Sequence, residues 1–149
     1  MSRSVVVDAS TAGGWLLKDE RTPESDTLLR WIADHTLRLV VPEIWAYEVL
    51  NLLRTAVAGG RAEEREAKDV LEATRVLPKE VVSAGAQGEA AILSAALHLK
   101  LSAYDASYVN LAEARGLDLV TRDIDILRLR PQFPWIWTVQ GFVDDVLNS

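Results

Sequence analysis

The sequence predicts an α/β fold, a parallel sheet covered by helices on both faces. Short, uniformly apolar, β-branched runs such as Val5-Val6-Val7 suit strands buried on both sides rather than half-exposed ones. Such runs alternate along the chain with longer stretches of helical periodicity or helix-forming composition, the pattern of parallel strands joined by helical crossovers. A length of 149 residues suits one core, and residues 1–149 are expected to form a single domain.

Ser4 to Val7 reads as the first strand and ends in Asp8. Ser10 or Thr11 is expected to cap a helix running through Leu17, which Gly13 and Gly14 weaken by roughly 1 kcal/mol each. Pro23 suits the first turn of a second helix, with Leu28, Leu29 and Ile32 on its apolar side. Leu37 to Val41 is the second strand and Pro42 ends it; a helix from Glu43 to Val57 follows and stops at Gly59-Gly60. Charged residues dominate Arg61 to Lys68, but Ala67, Val70 and Leu71 supply a narrow apolar stripe for another helix. Val81-Val82 reads as a short edge strand, and the alanine-rich stretches Ala86 to Leu99 and Ala103 to Ala114 as helices, the second ended by Gly116. Leu117 to Thr121 returns to strand, before a short helix near Ile124 to Leu129, a last strand at Trp135 to Val139 and a terminal helix at Phe142 to Leu147.

Hydrophobic residues make up 49% of the chain and charged residues 26%, the balance of a soluble globular protein. No apolar run approaches the roughly 18 residues that cross a bilayer, and no apolar stretch behind a basic region suggests a secretory signal. The absence of cysteine excludes disulfides and thiolate metal sites and fits a reducing cytoplasm. A net charge of −6 argues against gripping nucleic acid by general electrostatic attraction. It leaves room for a metal-dependent enzyme, because carboxylates gathered around a divalent cation add to the negative balance and the cation reverses the local field.

Asp8 lies at the end of the first strand, Asp123 just beyond Leu119-Val120-Thr121, and Asp105 in the first turn of a helix. In open parallel sheets ligand sites form beyond the carboxyl ends of the strands, near helix N-termini. Glu48, one turn inside the helix after the second strand, can lean over the same edge. Clustered carboxylates repel one another and a divalent cation relieves that repulsion; oxygen-only ligands favour magnesium or manganese over zinc. Each acid also has a purely structural use. Asp105 completes a capping-box pattern with Ser102, Asp123 is a ready N-cap, Asp8 suits an Asx turn, and Glu48 can face solvent. Spacing alone leaves both readings open.

The segment Val5-Val6-Val7-Asp8-Ala9-Ser10 resembles the opening of PIN domains, particularly of the VapC toxins of toxin–antitoxin pairs. Pro42 to Asn51, with Glu48 as its acid, resembles their second motif; Leu101 to Tyr108, with Asp105, the third and most specific; and Leu119-Val120-Thr121-Arg122-Asp123 the fourth. The motifs occur in family order and span Val5 to Asp123. The resemblance implies a three-layer α/β/α fold with a five-stranded parallel sheet. It also implies endoribonuclease activity on RNA with Mg2+ or Mn2+, in which Asp8, Glu48, Asp105 and Asp123 are the catalytic, metal-binding acids. It further implies help from the Ser10 and Thr121 hydroxyls, a place for Asp125 as an extra acid, a cognate antitoxin as partner, and a homodimer. The Gly13-Gly14-Trp15 segment departs from the family's usual helix there.

Arg54, Arg61, Arg122 and Arg128 are candidates for phosphate contacts, Arg122 foremost because it lies within the fourth motif. The tryptophans Trp15, Trp31, Trp45, Trp135 and Trp137 read as core or interface anchors before base-stacking platforms, and His35 and His98 form no ligand pair. The charged helices between Glu43 and Thr74 offer a dimer or antitoxin surface. Asp8-Ala9-Ser10-Thr11 superficially resembles the haloacid-dehalogenase phosphatases, which want a second acid where Ser10 stands; no Gly-rich phosphate loop is present. The remaining alternative is a catalytically silent PIN fold that binds RNA or protein.

Overall fold

The computed structural model describes residues 3–149 and holds five parallel strands: β1 (Arg3–Val7), β2 (Leu37–Pro42), β3 (Glu80–Val82), β4 (Asp118–Val120) and β5 (Ile136–Trp137). Their order across the sheet is β3-β2-β1-β4-β5. The helices are α1 (Ala9–Leu16), α2 (Pro23–Ala33), α3 (Ile44–Ala58), α4 (Glu64–Val76), α5 (Gly85–Leu99), α6 (Ala103–Arg115), α7 (Ile124–Leu127) and α8 (Val139–Leu147), with a 3-10 turn at Lys18–Glu20. The expected parallel sheet with flanking helices is therefore present, and Val81-Val82 does lie on its edge strand.

The sheet is buried on both faces. Val5, Val6 and Val7 of β1 and Leu119 and Val120 of β4 are fully inaccessible, each such side chain worth about 1.5–3 kcal/mol of hydrophobic stabilisation. On one face α6 lies across β1, β2 and β4 and is backed by α5. The other helices pack in series, α4 on α3, α3 on α1, α1 on α2 and α2 on α8, with α2 also resting on β2. The chain moves from β1 outward to β2 and β3, then returns to the far side of β1 as β4. The switch point of this sheet therefore lies between β1 and β4, where open α/β sheets place their ligands. No helix among the described residues is long and apolar enough to cross a membrane.

Helix ends differ from the sequence expectation where capping decides them. Asp8, rather than Ser10 or Thr11, caps α1: its backbone is extended and its carboxylate accepts from the Thr11 N–H. β1 ends at Val7, so Asp8 is the first residue free to turn, and a carboxylate is among the best acceptors for an exposed helix N-terminus. The last strand is shorter than Trp135 to Val139 because the Thr138 hydroxyl accepts from the Gly141 N–H and starts α8 at Val139.

Gly13 and Gly14 lie inside α1, and close packing explains the second of them. A Cβ on Gly14 would stand 2.8 Å from the Ser25 Cβ and 2.6 Å from an Arg122 nitrogen, with Ser25 itself fully buried. A Cβ on Gly13 would meet chiefly the end of the Glu20 side chain, which can move. Gly14→Ala is expected to lower the unfolding free energy by about 1–3 kcal/mol through overpacking. Gly13→Ala should be neutral or stabilising by up to about 1 kcal/mol through helix propensity. Urea unfolding of the two variants measures the contrast, and equal effects would contradict it.

Candidate active site

The parallel register sets the site. Val7 of β1 lies beside Val120 of β4, so the next residues, Asp8 and Thr121, leave the sheet side by side, and the Asp8 N–H donates to the Val120 carbonyl at 3.3 Å. Asp8 is only 3% exposed, so its carboxylate needs internal donors. It has three: the Thr121 hydroxyl at 2.5 Å, the Ser10 hydroxyl at 2.8 Å and the Thr11 N–H at 3.0 Å. Burial pushes the Asp8 carboxyl above the usual carboxylate range, while these three hydrogen bonds work in the opposite direction.

Both hydroxyls also serve as acceptors, which ties the two strand ends together. Thr121 Oγ1 accepts from the Asp123 N–H at 2.9 Å, and Ser10 Oγ accepts from the Arg122 N–H at 3.2 Å. Asp123 then caps α7, its Oδ1 accepting from the Asp125 N–H at 2.8 Å. Ser10 and Thr121 thus hold the backbone around two of the four acids.

Glu48 reaches the same region from the second turn of α3. The fully buried Tyr108 donates its phenol to Glu48 Oε1 at 2.5 Å. Burial raises the proton affinity of Glu48, the Tyr108 hydrogen bond lowers it, and the charges of Asp8 and Asp123 raise it further. Burial and the neighbouring Glu48 in turn keep the Tyr108 phenol protonated well above its usual value. Asp105 enters from the first turn of α6, where the Ser102 hydroxyl accepts from its N–H at 3.1 Å. Its carboxyl is pushed up to about 6, first by burial and then by the charges of Asp123, Glu48 and Asp8. Four acids spread from position 8 to position 123 therefore act on one another electrostatically.

The four differ in what occupies them. Asp8 has both oxygens hydrogen bonded, Glu48 and Asp123 one each, and Asp105 feels the charges of the other three. Among the described residues no three of His, Cys, Asp and Glu are already gathered at ligating spacing. The donors are all carboxylate oxygens, the set that suits a hard divalent cation, and a cation among them would relieve the repulsion that adds to burial in raising Asp105. In that sense the residues fit the metal that their sequence pattern implies.

A cleft of about 580 Å3 opens beside this group, lined by Glu48 together with Ala9, Ser10, Tyr47, Asn51, Arg61 and Tyr104, among others. Other singled-out residues have structural partners. Asp125 is exposed and its carboxylate turns to Arg128 at 3.4 Å. Arg122 donates to the Glu20 carbonyl at 3.2 Å, and Arg61 is bound by Asp19 and Glu20 at 2.8 and 2.7 Å. Arg54 borders a groove between α3 and α4. Trp45 is 2% exposed and packed in the core; Trp15, Trp31, Trp135 and Trp137 are partly buried against it, and none of the five lines the cleft. His98 bonds the Ser94 carbonyl one turn back. Two participants escaped the sequence reading. Tyr108 had a visible signal, its place three residues after Asp105 on one helical face. Glu20 had none, because its pairing with Arg61 and with Arg122 depends on where the 3-10 turn lands.

Thr121→Val keeps the side-chain shape but removes a donor from a buried carboxylate. It is expected to cost about 1.5–3 kcal/mol in urea unfolding at pH 7.5. The cost should shrink as pH falls and Asp8 takes up a proton, since the folded-state carboxyl already binds protons more readily than an exposed one. A cost below about 0.5 kcal/mol, the range of an ordinary surface change, would contradict this role.

The PIN domain family model matches residues 5–130, most of the chain and all four acids. No curated protein matches. Among solved structures, PAE2754 from Pyrobaculum aerophilum is similar over the whole of both chains, with 24% identity and a TM-score of 0.67. A toxin-antitoxin complex from Klebsiella pneumoniae is similar over 91% of this chain and 97% of that one, with 14% identity and a TM-score of 0.58. VapBC2 from Rickettsia felis, bound to a DNA fragment from their promoter, is similar over 84% of this chain and 92% of that one, with 12% identity and a TM-score of 0.61. At these identities the structures show a shared fold, whereas the family match covers more than half of the sequence, and the chain belongs to the PIN domain family, whose members are generally nucleases.

Proposed function

We propose that the protein is a metal-dependent endoribonuclease and the toxin of a toxin–antitoxin pair. Asp8, Glu48, Asp105 and Asp123 are its catalytic acids and hold Mg2+ or Mn2+. The observation that carries this reading is the convergence of the four acids: Asp105, lifted to about 6 first by burial, is raised further by the charges of Asp123, Glu48 and Asp8. A protein that needed these residues only as helix caps would have no reason to bring their charges together at one sheet edge.

A divalent cation held there supplies Lewis-acid polarisation of the phosphodiester and a lowered pKa for the attacking water. The protein's own part is positioning. Thr121, Ser10 and the Thr11 N–H fix both oxygens of Asp8, which orients this carboxylate and favours its charged form against the effect of burial. Tyr108 fixes one oxygen of Glu48 and leaves the other for a ligand. Asp105 and Asp123 complete the negative wall against which water is aligned. No side chain is needed as a nucleophile.

The expected partners are a cognate antitoxin and a second copy of the chain. An apolar groove of about 380 Å3 between α3 and α4, bordered by Leu50, Leu53, Val57, Ala67 and Leu71, supports a protein contact there. Two of the similar structures are described as a toxin-antitoxin complex and as VapBC2.

Purified protein is expected to cleave total cellular RNA with Mg2+ or Mn2+. Chelator should stop cleavage, and Asp8→Asn or Asp105→Asn should abolish it while circular dichroism stays that of the folded wild type. Equal cleavage by wild type and Asp105→Asn, purified identically, would sink the reading and mark a contaminant or another site.

A further inference from the structure

Two of the chain's three tyrosines stand exposed in the cleft beside the acids. Tyr47 is 72% exposed and Tyr104 is 58% exposed, and both line the cleft that holds Glu48. Each immediately precedes an acid of the cluster, Tyr47 before Glu48 on α3 and Tyr104 before Asp105 on α6. Successive side chains on a helix point about 100° apart, so while each acid leans inward its tyrosine is turned toward the outside of the same cleft. The third tyrosine, Tyr108, is 1% exposed and bound to Glu48. Large aromatic rings left bare on two different helices around one opening are typical of binding surfaces.

The charge balance at the cleft indicates what these rings bind. An RNA strand is anionic, the four acids are anionic, and the whole chain carries −6. Among the described residues lining the cleft the only cation is Arg61, and Asp19 and Glu20 already neutralise it. Apart from the cation proposed at the acids, phosphate contacts therefore contribute little attraction here. A nucleobase is uncharged and has an aromatic face, and stacking on an aromatic side chain holds it without regard to charge and with little regard to sequence. Asn51, one helical turn beyond Tyr47 and lining the same cleft, adds an amide that both donates and accepts at a base edge.

We infer that Tyr47 and Tyr104 form a nucleobase-binding site that receives an unpaired base of a single-stranded RNA next to the acids. This rests on the endoribonuclease reading and assigns two side chains that hold its substrate, since bases paired and stacked in a duplex cannot offer their faces to these rings.

The test is equilibrium binding by fluorescence anisotropy, with chelator present so that metal-dependent cleavage does not intervene. The probes are a labelled, unstructured single-stranded RNA and an abasic strand of the same length. Tyr47→Ala and Tyr104→Ala are each expected to weaken binding of the base-bearing strand by about 10-fold and to leave the abasic strand unchanged. Tyr47→Phe and Tyr104→Phe, which keep the ring, should bind as wild type does. Unchanged RNA affinity in the alanine variants, an equal loss on both strands, or no binding of single-stranded RNA by wild type would each overturn the inference. RNA cleavage assayed separately with Mg2+ keeps the two readings apart. A protein that cleaves RNA but is indifferent to both tyrosines refutes the base site alone, and one that binds bases through the tyrosines but never cleaves refutes the nuclease alone.

Discussion

A carboxylate shut away from water at the end of the central strand is the constraint around which the rest of this site is arranged. Asp8 is 3% exposed, and leaving such a charge without donors costs several kcal/mol. The parallel register of β1 and β4 supplies the remedy by bringing Thr121 alongside it, and the first turn of α1 adds Ser10 and Thr11. Because each hydroxyl donates to Asp8 and accepts from the loop after β4, the satisfaction of one buried charge also fixes the path toward Asp123. The same loop carries Arg122, whose guanidinium lies against Gly14 of α1. A glycine that weakens a helix in isolation is what lets the arginine and Ser25 approach.

Electrostatics then separates the roles of the four acids. Asp8 is held by hydrogen bonds, Glu48 by one phenol and Asp123 by the Asp125 N–H, while burial and then the charges of the other three push the Asp105 carboxyl up to about 6. Such a cluster is costly to stability at neutral pH and gains its use from a divalent cation, the chemistry proposed for this member of the PIN domain family. On that proposal, an acidic nuclease must also find its attraction for RNA somewhere other than a basic surface, and the bare aromatic rings beside the acids are the source inferred for it.

The fold was legible in the sequence because strands buried on both faces are written as unbroken β-branched runs, with helices between them that differ in length and composition. Val5-Val6-Val7 and Leu119-Val120 needed no structure to be recognised. Element ends were less legible, since Asp8 and Thr138 compete with neighbouring residues as caps and the winner depends on where the strand stops. The acids were legible as family motifs, but spacing carries no distances, and their action on one another emerges only when β1, α3, α6 and the loop after β4 are brought to one edge. Glu20 lies in no such motif, and Tyr47, Tyr104 and Tyr108 fall within the second and third motifs without their roles being marked there. A tyrosine on an amphipathic helix reads equally well as core, and the partners of Glu20 lie more than 40 and 100 residues away in sequence.

The repulsion among the acids, and its relief by a cation, can be read on one atom. Carbon NMR of the Asp105 side-chain carboxyl, titrated from pH 3 to 9, should give a midpoint near 6 in metal-free protein, falling below the ordinary carboxylate range when Mg2+ is added. A midpoint near 4 that Mg2+ does not move would contradict it, because Asp105 would then neither share the field of the other acids nor help to hold the metal.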